Sequence, residues 1–97
     1  MVMTILEGHV APEKAAALEQ AYRAGTQSLP PQIAQTYLIH STAEPGRWRI
    51  LTVWRSREAL DEYRRSRETP GGVLMFRAAG AEPALSIFDV VAQAAGM

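Results

Sequence analysis

Hydrophobic and polar positions alternate with a period of two over four short stretches of this chain, and the segments between them follow a helical period. In the first stretch, 2–10, Val2, Thr4, Leu6 and Val10 fall on one side and Met3, Ile5, Glu7 and His9 on the other, as in a strand. Pro12 then suits a first helical position, and a helix is expected from Pro12 to about Gly25 or one turn further. Its buried stripe would be Leu18, Tyr22 and Leu29, backed by Ala15 and Ala21, with Leu29-Pro30-Pro31 as the stop. A second strand is expected over 35–42, with Tyr37 and Ile39 opposite Leu38 and His40. Glu44-Pro45-Gly46-Arg47 reads as a type II turn, with proline at the first central position and glycine taking a positive φ at the second. It leads into a third strand, 47–55, to complete an antiparallel hairpin.

Ser56 can cap a second helix that runs to about Arg67. Glu58 lies in its first turn, and Ala59, Leu60 and Tyr63 share one face. Asp61 and Arg65 are spaced for an ion pair. Thr69-Pro70-Gly71-Gly72 reads as a break. Val73 to Ala79 reads as a short third helix closed by Gly80, with Leu74, Met75 and Phe76 partly buried. Pro83 opens a last strand over 84–91, and the tail 92–97 is expected to fray or to dock on a partner.

This β-α-β-β-α-(α)-β order predicts an α+β, ferredoxin-like split βαβ domain over residues 1–97. The four-stranded sheet would be antiparallel, and right-handed crossovers place strands one and three at its centre. Strand three carries Trp48, Ile50 and Trp54 on one face and Leu51 and Val53 on the other. Strand four sets Leu85 and Ile87 against Phe88 and Val90. A sheet that is apolar on both faces needs a second cover, and helices supply only one. The expected cover is a second copy of the chain, giving a homodimer with its sheets face to face.

Composition narrows the partners. Basic and acidic residues number ten each, so nothing marks the chain for nucleic acid or an anionic membrane surface. The absence of cysteine removes disulfides, thiolate nucleophiles and cysteine metal sites. No basic leader and no apolar run of membrane length is present, so a cytoplasmic location is expected. The two histidines, His9 and His40, fall on strands with no carboxylates at ligand spacing beside them, so no metal site is expected. His40 and Ser41 point to opposite faces, which excludes a hydrolytic pair. Gly71-Gly72 lacks the pattern and the lysine of a phosphate loop and reads as a helix stop. What remains is aromatic. Trp54, Tyr63 and Phe76 are placed to converge between the sheet and helix two, where they would form a wall for a flat ligand or plain core. His40 or Arg49 would be a polar partner, although Arg49 should lie on the opposite strand face from Trp54.

The run Thr52-Val53-Trp54-Arg55-Ser56-Arg57-Glu58-Ala59-Leu60 resembles the antibiotic biosynthesis monooxygenase (ABM) domains of the dimeric α+β barrel superfamily. It matches their strand-end tryptophan followed by a Ser-x-x-Ala-Leu helix start. The resemblance implies a homodimer and a pocket between sheet and helices. It also implies oxidation of aromatic phenols, quinols or anthrones by molecular oxygen with no cofactor, or else haem degradation. The chain contains no asparagine, has Tyr63 where haem-degrading members carry a helix-two tryptophan, and has Val73 near the expected histidine. These departures argue against haem degradation. On this reading Tyr63 and His40 are the candidates for proton transfer, and Trp54, Phe76, Tyr37 and Met75 for contact with a small aromatic substrate. A non-catalytic dimeric domain of the same fold, binding a small molecule or serving assembly, stands as the alternative.

Overall fold

β1 (Val2–His9) and β3 (Arg47–Trp54) pair antiparallel at the centre of a four-stranded sheet, with β2 (Ile33–His40) and β4 (Ala84–Asp89) at its edges, in the order β2-β3-β1-β4. This is the predicted split βαβ topology, seen in a computed structural model that describes residues 1–96. The last strand ends at Asp89 rather than at 91, and residues 92–96 of the expected tail are exposed and outside any regular element; Met97 falls outside the described residues. Among the described residues no helix is long and apolar enough to cross a membrane.

Three helices, α1 (Ala15–Gly25), α2 (Arg57–Arg65) and α3 (Gly71–Ala78), connect the strands. The even-numbered side chains of β1 and β3, from Val2 opposite Trp54 to Gly8 opposite Trp48, form the sheet face that carries the core. Local chemistry explains most helix ends. A 3₁₀ turn at Pro12–Lys14 leads into α1. The Ser56 side chain accepts from the Ala59 N–H at 3.0 Å and caps α2. At the end of α3, Gly80 takes φ +74° while its N–H reaches the Arg77 carbonyl and the Ala81 N–H reaches the Phe76 carbonyl. This pair of bonds is a Schellman closure, and it requires the glycine that was predicted there.

Four expectations are corrected. Leu29 is not in the buried stripe of α1, because the helix ends at Gly25, the nearer of its two expected ends. There Thr26 folds both its N–H and its hydroxyl back onto the Tyr22 carbonyl and leaves Leu29 in the following loop. Gly46 does not adopt a positive φ. The Arg47 N–H closes on the Glu44 carbonyl, and Gly46 instead lies close under His9, where a Cβ would sit 3.3 Å from Nδ1. Asp61 pairs with Arg57 at 3.3 Å rather than with Arg65. Gly71-Gly72 opens α3 rather than stopping a helix, because a Cβ on Gly72 would meet Leu6 Cδ1 at 2.6 Å and hold α3 off the sheet.

The core forms two clusters. One gathers Leu6, Val10, Leu18, Ile50 and the fully buried Phe76 under α1 and α3. The other gathers Val2, Trp54, Leu60 and Tyr63 under α2. On the opposite sheet face Tyr37, Ile39 and Phe88 are exposed, the apolar surface expected to need a cover. At one end of that face Arg49 donates to Glu7 at 2.6 Å, and the guanidinium holds the Glu7 carboxyl below the usual carboxylate range. A depressed carboxyl contributes stability above its unfolded pKa and loses it as pH falls through the folded value. Glu7→Gln is therefore expected to lower Tm at neutral pH, and the difference from wild type should shrink toward zero below about pH 4. A Tm difference that does not change between neutral and acid pH contradicts this.

Candidate functional site

The two core clusters are separated by a row of hydroxyls. Thr52 of β3 lies directly opposite Thr4 of β1 on one side and Thr36 of β2 on the other, and Thr4 is opposite Ile87 of β4. At one level of the sheet, three adjacent strands thus present threonine toward the helices. An extra residue in β2 between Ile33 and Gln35 shifts the register, so that Ile33 and Thr36 both face this side. Above the row lies a cavity of about 400 Å³, within the roughly 300–1,000 Å³ usual for small-molecule sites. Leu6 and Ile50 bound it on one side, Trp54, Leu60 and Tyr63 on another, and Tyr22 and Met75 close it from the helices.

The polar side chains around the threonine row are mostly hydroxyls, each able to accept one hydrogen bond and donate another. The Trp54 indole N–H donates to Thr4 Oγ1 at 2.9 Å, which orients that threonine. Among the described residues the Thr4 hydroxyl proton meets no protein acceptor. Tyr22 OH donates to Thr36 Oγ1 at 3.3 Å, and Thr36 and Thr52 share a contact of 3.4 Å. Both exceed the usual O–H···O length, so these hydroxyls turn toward a ligand oxygen at low cost. Thr4 and Thr52 are both buried. Tyr63 stands 4.8 Å from the Trp54 ring, and its OH accepts from the Gly71 N–H at 3.0 Å, leaving the phenol proton free to donate. No histidine, aspartate or glutamate among the described residues lines the cavity. Among the described residues no cluster of three or more His, Cys, Asp or Glu side chains is set to hold a metal.

Of the residues singled out in the sequence, Trp54, Tyr63 and Met75 share this cavity; His40, Phe76 and Tyr37 lie outside it. His40 is on the correct sheet face but four residues up the strands from the threonine level, roughly 13 Å at about 3.3 Å per residue. There it stacks on Trp48 at 3.9 Å and donates from Nε2 to the Pro45 carbonyl at 2.6 Å. Phe76 packs into the other core cluster over Gly8, where an added Cβ would come within 2.8 Å of its ring. Tyr37 is on the open sheet face and lines only a shallow groove beside Leu29 and Gln35. Arg49 also lies outside the cavity, held by Glu7. The threonine row was not singled out from the sequence. Its signal is a polar residue in each otherwise apolar inward face, Thr4 between Val2 and Leu6 and Thr52 between Ile50 and Trp54.

Comparison with known proteins follows the same lines. The family profile described as antibiotic biosynthesis monooxygenase matches residues 1–70. No curated protein sequence matches the chain. Among solved structures, a candidate antibiotic biosynthesis monooxygenase from Deinococcus radiodurans superposes with a TM-score of 0.74 at 16% identity, covering 100% of this chain and 99% of that one. Rv0793 from Mycobacterium tuberculosis gives 0.71 at 21% identity over 97% and 98% of the two chains. A point mutant of SnoaB, a cofactor-independent oxygenase from Streptomyces nogalater, gives 0.71 at 16% over 95% and 94%. At these identities the structural likeness speaks for the fold.

Proposed function

Since the chain belongs to the antibiotic biosynthesis monooxygenase family, we propose that it oxidises a small aromatic phenol, quinol or anthrone with molecular oxygen and no cofactor. The observation that carries this reading is the apolar cavity floored by the threonine row. Its walls suit a flat ring, and its buried polar groups, among the described residues, are the hydroxyls of Thr4, Thr52 and Tyr63, which can donate, and the Trp54 indole N–H, already given to Thr4. Such donors bind an oxyanion better than a neutral oxygen, so they favour the ionised form of a phenol or of an anthrone enol. The electron-rich anion passes one electron to oxygen, and the two radicals combine at carbon. Loss of water from the resulting hydroperoxide leaves a carbonyl. For an anthrone the balance is one CH₂ and one O₂ to one C=O and one H₂O, with the substrate supplying every electron. On this reading Tyr63, whose OH accepts from the Gly71 N–H and keeps its own proton to donate, exchanges a proton with the substrate oxygen, while Trp54 and Met75 hold the ring. His40, Phe76 and Tyr37 have no part in it.

A second reading, a domain that binds the same kind of ligand without turning it over, is favoured by the lack of any imidazole or carboxylate in the cavity. Oxygen uptake with a panel of anthrones, quinols and naphthols, run with and without chelator, separates the two. Uptake with at least one member, unchanged by chelator, is expected. Ligand binding with no uptake across the panel would establish the second reading instead.

Under either reading the protein is a homodimer that covers the apolar sheet face. Phe88 and Tyr37 are half exposed there, at 50% and 49%. Sedimentation is expected to show a dimer for the wild type and a monomer for Tyr37→Asp with Phe88→Asp. A monomeric wild type at micromolar concentration contradicts the face-to-face assembly.

A further inference from the structure

The charge around the cavity is one-sided in a chain whose total is balanced. Two arginines, Arg64 and Arg67, are among the residues that line it, and no acid is. Five other arginines, Arg23, Arg47, Arg49, Arg57 and Arg77, each meet a carboxylate, while among the described residues Arg55 and Arg65, which do not line the cavity, meet none. Among the described residues neither Arg64 nor Arg67 has such a partner. Both are exposed, at the mouth rather than the floor. Arg64 lies in the last turn of α2, where a positive charge also suits the helix dipole. That does not account for Arg67, which lies beyond the helix with its guanidinium 4.6 Å from the centre of the Tyr63 ring. The ring face holds this cation against the cavity wall before any ligand arrives, so less ordering is lost on binding.

We propose that the ligand is an aromatic acid, bound with its carboxylate outward between Arg64 and Arg67 and its ring inward over the threonine row. This rests on the cavity being the aromatic site described above and adds the charge of its ligand. The two ends of the cavity then do different work. Arginines at the mouth give attraction and orientation, and hydroxyls at the floor meet an oxygen at the far end of the ring. A guanidinium fork matches a carboxylate with two parallel charge-assisted hydrogen bonds, whereas a neutral amide of the same shape offers one carbonyl acceptor and no charge and gains less.

Calorimetric titration of the full chain with naphthoate and with naphthamide, near-isosteres that differ in charge, tests this. Naphthoate is expected to bind roughly tenfold tighter than the amide, the factor given by one charge-assisted hydrogen bond at a partly exposed site. Raising the salt should erode that advantage. Arg64→Gln with Arg67→Gln should abolish it, costing naphthoate far more than naphthamide, and a thermal melt like that of the wild type shows that the variant is folded. Equal affinity of the wild-type protein for acid and amide would overturn the proposal while leaving the aromatic site standing. An equal loss for both ligands in the double variant would also overturn it, because the arginines would then serve only the shape of the cavity. Binding of neither ligand would overturn the aromatic site and this inference together.

Discussion

Replacing Phe76 with alanine is expected to lower stability by about 3–5 kcal/mol without lowering the affinity of the cavity for an aromatic ligand. The side chain is fully buried among Leu6, Val10, Leu18 and Ile50, and its ring lies against Gly8, which has no side chain with which to fill the space left behind. Collapse is opposed because α3 is pinned at both ends, by Gly72 against Leu6 and by the closure at Gly80. Against the roughly 5–15 kcal/mol of a typical domain, such a loss leaves the variant marginal at room temperature. Urea melts of wild type and variant measure it, and titration at low temperature, where the variant is folded, measures the affinity. A loss below about 1 kcal/mol would show that the helices close over the gap. A loss of affinity at full folding would place Phe76 in the site, contrary to its position in the other cluster.

Tyr63→Phe is expected to separate in the opposite sense, with a modest cost to stability and a large one to turnover. The tyrosine ring packs against Trp54 and fills its place in α2, and phenylalanine keeps that packing. What is lost is the acceptor for the Gly71 N–H, a cost of about 1 kcal/mol. On the proposed reading the substrate oxygen also loses the phenol that packs on Trp54 and takes the Gly71 N–H. Proton transfer by a positioned side chain is worth roughly 10²–10⁴-fold, so kcat should fall by about a hundredfold or more while KM changes little. Steady-state oxygen uptake reads both constants. An unchanged kcat would remove Tyr63 from the chemistry and leave the threonine hydroxyls as the groups that stabilise the anion.

The contrast between these two aromatics shows how far the sequence could be read. Period-two alternation located all four strands and assigned the two faces of β1 and β3, because neighbouring side chains on a strand must point apart. Ser56 and Gly80 marked helix ends through bonds that are local in the chain, and both are found as expected. Features fixed by contact between distant elements were less accessible. Phe76 shares a helix with the cavity residue Met75, and helical period alone does not say which of them meets the threonine level and which meets Gly8. Gly71-Gly72 reads as a break until Leu6 is seen to occupy the space a side chain there would need. His40 was grouped with Leu38 on one face of its strand, but which face met the helices, and at what height, depended on the register of β2 with β3. The threonine row escaped notice for a related reason. Each hydroxyl is one polar residue in an apolar face, ordinary alone, and the row appears only when three strands are placed side by side.

The chain belongs to the antibiotic biosynthesis monooxygenase family, and a largely apolar cavity lies between its helices and the sheet. What remains to be measured is the fate of the oxygen. Turnover of an anthrone by chelator-treated protein under dioxygen labelled in both atoms tests the account most directly. The account predicts one labelled atom in the carbonyl of the product and the other in water. Product whose new oxygen comes from water, or no product at all from a ligand that binds, would contradict it.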